Sequence, residues 1–251
     1  MALRFSPSRP LSATRRPTYN EPSNPVSDKA QHTGHRARLR SRFLKGGEEA
    51  LPDYEMLELI LFLAQPRGDT KPLAKQLIAR FGSYAAVISA EPKELKEITG
   101  IGDAAVVALK TVRDAAVRLA REEIIGAPVL SSWQALIDYC RATMGHAKQE
   151  QFRLFYLNKK NVVIADELQQ TGTVDHTAVY PREVVKRALD LGATAIIMVH
   201  NHPSGDTKPS RGDIEMTLEV KEVSEKLGIR LHDHVIIAKS GATSFKSQGL
   251  L

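Results

Sequence analysis

The chain has 251 residues, 42% hydrophobic and 25% charged, the balance of a soluble protein large enough for one sizeable core or two small ones. No apolar run approaches the roughly 20 residues of a membrane helix; the longest, MLELILFLA at 56–64, is interrupted by Glu58. Cys140 is the single cysteine, which excludes intrachain disulfides and cysteine-based zinc ribbons, fits a reducing, cytoplasmic setting and leaves histidine and carboxylate as the available metal ligands. The net charge of +6 belongs to the N-terminus: residues 1–50 hold ten Lys/Arg against four Asp/Glu, and residues 51–251 hold 25 of each sign. A basic lead segment attracts phosphate, whereas the balanced body gives little reason to expect a nucleic-acid clamp.

Residues 1–30 contain five of the 13 prolines, at 7, 10, 17, 22 and 25, with few apolar side chains, and read as a disordered basic tail. The first 20 residues are Arg/Ser-rich and acid-free, which also describes an organelle transit peptide, but the prolines oppose an amphipathic helix. From 31 to 125 the pattern is helical. HRARLRSRFL (35–44) is a basic helix, DYEMLELILFLA (53–64) starts with Asp53 as its cap, PLAKQLIARFG (72–82) runs from Pro to Gly, and AAVVALKTVRDAAVRLAREE (104–123) is long. Within it, LKEITGIGDAAVVALK (95–110) resembles a helix-hairpin-helix, with Gly100, Ile101 and Gly102 at the tight turn. Glycine there lets backbone N–H groups approach a DNA phosphate, and Arg36, Arg38, Arg40 and Arg42 would supply charge that the hairpin lacks. A hairpin used only for packing or protein contacts is the competing reading.

IIGAP (124–128) is a plausible hinge, and residues 129–251 change grammar. A helix over 131–143 precedes two strand-like runs, EQFRLFYLN (150–158) and VVIADELQQTG (162–172), which form a hairpin joined at KKN. A helix at 181–192, a strand at 193–200, a helix at 211–227 and a strand at 229–238 complete an α/β domain with a mixed sheet flanked by helices. Met216, Val220, Val223 and Leu227 form the apolar stripe of the 211–227 helix, with Ile214 and Leu218 beside it. Cys140, without a neighbouring histidine, is a packing residue.

HNHPSGDTKPSRGD (200–213) carries the chemistry. Strand alternation sends His200 and His202 to one face and Asn201 to the other. Pro203 ends the strand, and a turn-rich loop leads to Ser210 and, one helical turn later, Asp213. Two imidazoles and a carboxylate suit Zn²⁺ with a position left for an activated water. Ser-x-x-Asp also resembles a helix-capping box, and Pro-Ser-Gly is ordinary turn chemistry, but a cap does not require the histidines. His232 and His234 share a strand face on an alternating strand; a core or supporting role suits them better than a second metal pair.

H-x-H, seven residues, then S-x-x-D matches the JAMM (MPN+) metalloprotease signature at every defined position. Together with PREVVKRAL (181–189) and DHVIIA (233–238) it resembles the RadC family. The resemblance implies a cytidine-deaminase-like α/β fold, one zinc per chain on His200, His202 and Asp213, and Ser210 donating a hydrogen bond to the oxyanion. It also implies a glutamate on an earlier strand as general base, a place Glu150 occupies beside Phe152, Leu154 and Tyr156, whose face would desolvate it and raise its pKa. Glu183 is the rival, but the first turn of its helix explains it. The expected function is a zinc-dependent metallopeptidase or isopeptidase acting on a peptide or protein, without a membrane. The alternative is a DNA-binding repair or recombination factor whose metal domain is structural or cleaves phosphodiesters.

Overall fold

The computed structural model describes residues 26–46, 50–171 and 179–251. The tail expected over 1–30 lies outside the described residues as far as position 25, and from Val26 the chain is helical. Residues 172–178, between the second strand-like run and the helix expected at 181–192, lie outside them as well.

The N-terminal half holds α1 (Val26–Gly46), α2 (Asp53–Ala64), α3 (Lys71–Phe81), α4 (Tyr84–Ser89), α5 (Pro92–Lys96) and α6 (Asp103–Ile124). Leu57 and Leu61 of α2, Leu77 of α3, Leu95 of α5 and Leu109 of α6 are fully buried together. Each such side chain contributes about 1.5–3 kcal/mol when removed from water. α3 ends at Gly82 with φ 92°, a left-handed stop that a side chain would oppose. Asp53 does not cap α2. Pro52 holds that position, and the Asp53 carboxylate instead accepts the Tyr84 main-chain N–H at 3.0 Å, satisfying an amide in the first turn of α4. A tertiary contact thus took the oxygen that local sequence assigned to the neighbouring helix.

The C-terminal half contains α7 (Trp133–Met144), β1 (Gln151–Leu157), β2 (Val163–Thr171), α8 (Pro181–Asp190), β3 (Ala195–Asn201), α9 (Arg211–Lys226), β4 (Arg230–Ala238) and β5 (Gly241–Ser244). The sheet order is β2-β1-β3-β4-β5; only β3 and β4 are parallel, and the other neighbours are antiparallel. The mixed α/β architecture expected from the sequence is therefore present. Every residue of the central β3 is buried, because its two faces serve two cores. Ile197 and Val199 pack with Leu136, Tyr139, Cys140 and Met144 of α7. Ile196 and Met198 pack with Phe152, Leu154 and Tyr156 and with Val184 and Val220 from α8 and α9.

Two expectations shift. α9 turns Met216, Val220 and Val223 to the core as the stripe predicts, but Thr217 and Ser224 are buried beside them, while Leu218 and Leu227 are exposed. Polar residues can take inward positions because their hydroxyls are satisfied locally, Ser224 on the Lys221 carbonyl and Thr217 on the Asp213 carbonyl. β4 is irregular as well: Ile196 pairs with Leu231 and Ile197 with Asp233, leaving His232 as the extra residue of a bulge. The bulge breaks the alternation that would have put His232 and His234 on one face.

Candidate metal centre

β3 delivers His200 at its end and His202 just beyond it, and the loop 203–209 brings the start of α9 back over them. His200 Nε2 and His202 Nε2 are 2.9 Å apart. Asp213 reaches both, with Oδ1 3.3 Å from His200 Nε2 and Oδ2 3.4 Å from His202 Nε2. Among the described residues these three form the one group of His, Cys, Asp or Glu whose ligand atoms cluster, all within 4.8 Å of one another. A pair of His232 and His234 is not among them, for the reason given by the bulge.

Asp213 is aimed by the capping box of α9. Ser210 Oγ accepts the Asp213 N–H at 3.1 Å, and Asp213 Oδ2 accepts the Ser210 N–H at 2.7 Å. The reciprocal pair satisfies two free amides at the helix start and fixes the carboxylate rotamer in which its oxygens face the imidazoles. Cap and ligand geometry are one interaction. Ser210 is solvent-exposed, so its hydroxyl hydrogen can turn towards a bound molecule while the oxygen remains the cap.

His202 Nδ1 lies 2.8 Å from the Asp206 main-chain carbonyl. A carbonyl only accepts, so Nδ1 carries the proton and Nε2 offers its lone pair to the cluster. Burial alone would raise the Asp213 carboxyl, but the close approach of the His200 and His202 imidazoles outweighs it and holds the group well below the usual carboxylate range. The same contact with Asp213 raises His202, against the desolvation of its half-buried ring. Lone pairs of two imidazoles and a carboxylate thus meet at one point, and a divalent ion would separate them. Two imidazole nitrogens and a carboxylate are the ligand types and number of a catalytic zinc site with an open position, so the donor set fits zinc.

Behind the ligands lies an extended network. His200 Nδ1 is 2.8 Å from Nε2 of the fully buried His234, and His234 Nδ1 is 2.6 Å from Thr217 Oγ1. The Phe245 ring stacks on His234 at 4.4 Å between centroids, and Phe152 is stacked with His200 at 6.3 Å. Burial pushes His234 well below the usual histidine value, and the neighbouring His200 adds to that. The sequence had suggested a supporting role for His234 but did not single out Thr217, although its position four residues after Asp213 places both on one side of α9.

Glu150 immediately precedes β1, half-buried, and its charge acts on His202. Phe152 pairs with His200, and continuing that register by two residues aligns Glu150 with His202 on the same face. Asn201, buried at 1% exposure, holds the main chain on either side: Gln151 N–H donates to its Oδ1 at 2.8 Å, and its Nδ2 donates to the Gln149 carbonyl at 3.2 Å. Asn201 points away from the ligands, as alternation requires, and there it grips the segment that carries the acid. Glu183 sits in the first turn of α8, paired with Arg182 at 3.1 Å.

In the helical half, Gly100 has φ 97° and the turn Gly100–Gly102 leads directly into α6, with Gly102 at its N-cap. Asp103 is paired with Lys96 at 2.5 Å across the turn. The Arg36 guanidinium donates to the carbonyls of Gln65 and Gly68 at 2.8 Å each, and Gln65 Nε2 donates to the Gly100 carbonyl at 2.6 Å. The basic helix and the hairpin turn are therefore linked through one glutamine. Arg36 also stacks over Phe62 at 4.4 Å, with Arg40 at 5.7 Å, while Arg42 is ion-paired with Glu55. Arg38 is exposed.

Residues 130–250 match the family described as a RadC-like JAB domain, and residues 31–107 match the family described as UPF0758 N-terminal. A UPF0758 protein of Rhodobacter capsulatus is 58% identical over 213 residues, spanning 85% of this chain and all of the relative. A UPF0758 protein of Ruegeria pomeroyi is 54% identical over 217 residues, spanning 86% of this chain and 97% of the relative. Similarity of that extent across both halves means that the chain belongs to the UPF0758 family, with a RadC-like JAB domain as its C-terminal half.

Proposed function

We propose that the protein is a zinc-dependent hydrolase of amide bonds, a JAMM-type metallopeptidase or isopeptidase holding one zinc per chain on His200, His202 and Asp213. The observation that carries this reading is the meeting of two imidazole Nε2 atoms and a carboxylate from two separate elements, 2.9 to 3.4 Å from one another. When bound, zinc supplies a Lewis acid that brings the pKa of water to about 7 and polarises a carbonyl.

The remaining chemistry belongs to the chain. Glu150 takes a proton from the attacking water as the new C–O bond forms, then delivers it to the departing nitrogen as the C–N bond breaks. Ser210 donates its hydroxyl hydrogen to the oxygen that gains charge, while a lone pair of the same Oγ keeps the Asp213 N–H. His202 and Pro203 line a cleft of about 220 Å³ whose other walls include Phe81, Ala90, Glu94 and Lys148, and we take this seam between the two halves as the approach for substrate.

Elemental analysis of the purified protein beside His202→Ala tests the reading: one zinc per chain in the first and none in the second, with peptide or isopeptide cleavage following the zinc. A wild-type protein that takes up no zinc would end it.

A second proposal concerns the helical half, where the Gly100–Gly102 turn opens directly into the N-terminus of α6 and favours an accessory contact to DNA phosphates. Arg36 and Arg42 already have intramolecular partners, so the contact we infer is non-specific, centred on the Gly100–Gly102 turn, Arg38 and Arg40. Duplex binding should weaken steeply with salt and lose its remaining affinity in Arg38→Ala/Arg40→Ala; binding indifferent to both changes excludes it.

A further inference from the structure

We propose that Thr217 and His234 are positioning residues that set the tautomer of His200, through a chain of hydrogen bonds that starts at the Asp213 main-chain carbonyl and ends by turning the His200 Nε2 lone pair into the metal centre. The direction of the chain follows from its first member. Thr217 Oγ1 lies 2.5 Å from the Asp213 carbonyl oxygen. Two oxygens at that separation require a hydrogen between them, and a carbonyl has none, so the threonine donates.

Its single hydrogen being committed, Thr217 Oγ1 can only accept from His234 Nδ1 at 2.6 Å. A neutral His234 with its hydrogen on Nδ1 has a lone pair on Nε2, which accepts from His200 Nδ1 at 2.8 Å. That leaves His200 Nε2 as a lone pair, 3.3 Å from Asp213 Oδ1. The opposite direction would put a hydrogen on His200 Nε2 and close it to a cation.

The path is sealed. Thr217 and His234 are fully buried and His200 is 1% exposed, with Phe245 stacked against His234, so bulk solvent does not compete for these hydrogen bonds. The chain also returns to its origin: Asp213 offers its carboxylate to the cluster and its carbonyl, through Thr217, to the tautomer of the ligand facing it. His202 obtains the same orientation by a shorter route, from the Asp206 carbonyl.

The consequence for zinc rests on the metal reading above, whereas the tautomers themselves are read without metal. Long-range ¹H–¹⁵N correlation spectra of the full, metal-free chain should show His234 as the Nδ1–H tautomer and His200 with a hydrogen on Nδ1. In Thr217→Val, which keeps the shape and removes the hydroxyl, the His234 Nδ1–H signature should be lost and zinc affinity, measured by chelator competition, should fall about 10- to 100-fold. Thr217→Ser should restore both. A His234 hydrogen on Nε2 in the wild type, or wild-type zinc affinity and His234 tautomer in Thr217→Val, would overturn the proposal. If the wild type shows the expected tautomers but binds no zinc, the metal reading fails while the relay stands.

Discussion

A carboxylate serves as a base only if its oxygens are held at the reacting atom, and Glu150 stands outside the strand that follows it. Asn201 supplies the restraint through hydrogen bonds to the chain on both sides. Glu150→Gln should therefore keep its zinc and lose at least about 10²-fold in kcat; equal turnover would assign the base elsewhere. Asn201→Leu removes both restraints and strands a main-chain N–H, at a cost of about 1–3 kcal/mol in stability. Its zinc content should be unchanged and its kcat should fall more than its KM rises, because the base moves and the ligands do not. Zinc loss in Asn201→Leu would show that it supports the ligands instead.

Two other histidines carry a pH dependence. Burial first, then Lys239, Arg113 and Arg141, depress His146 below its ordinary 6.5. Burial, then Lys246 and Arg230, depress His232, with Asp233 opposing. As pH falls below 6.5, the unfolded chain binds protons before the folded one, so stability drops until the folded rings titrate. The metal-free His146→Gln/His232→Gln variant should lose less stability than the parent between pH 7 and about pH 5 in urea melts; an equal loss would remove both rings as the source.

On the scale of an element, α9 unites cap, ligand and relay in its first two turns. Ser210→Ala should destabilise by about 1 kcal/mol, whereas Ser210→Gly should cost only a few tenths, because glycine is itself a tolerated N-cap. Both should lose activity alike if the hydroxyl contacts the developing oxyanion. If activity instead tracks stability across the pair, Ser210 acts only as a cap. The apolar stripe of α9 was legible in Met216, Val220 and Val223, which pack on the core, but the burial of the two hydroxyl residues beside it was not. A helical wheel weighs Leu218 and Leu227 as apolar and Thr217 and Ser224 as polar, and it cannot know that their hydroxyls find acceptors. The short β5 and the small α4 and α5 carry too few residues for a periodic signal, and neighbours decide them. The bulge at His232 is equally silent in sequence, since nothing local distinguishes an extra strand residue from a paired one.

Across the whole molecule the two halves are joined by α6, which packs on α7. Arg113 of α6 donates to the Thr143 carbonyl at 2.8 Å and the Ala142 carbonyl at 3.3 Å, neutralising part of the C-terminal end of α7. Lys148 is bonded to Glu94 across the same seam, beside the cleft that reaches His202. Zinc that binds only the folded chain adds about 2.7 kcal/mol when its free concentration is a hundred times Kd. Calorimetry should show a rise in Tm on zinc addition and a return on chelation, with no response in His202→Ala. A zinc-induced rise that survives in His202→Ala would place the ion elsewhere. Among the described residues no helix is long and apolar enough to cross a membrane.

What the sequence determined by itself were the features written in local spacing: the helical lead, the switch to strand alternation, the His-x-His on one strand face and the Ser-x-x-Asp at a helix start. These depend on backbone periods of two and 3.6 residues, which every chain obeys. Only the tertiary structure decided that Asn201 grips the flanks of Glu150, that Thr217 and His234 face His200, and that Asp53 serves α4 rather than α2. Those pairings join atoms far apart in the chain, and a hydrogen bond's direction is settled by the one partner that can only accept, which no spacing rule records.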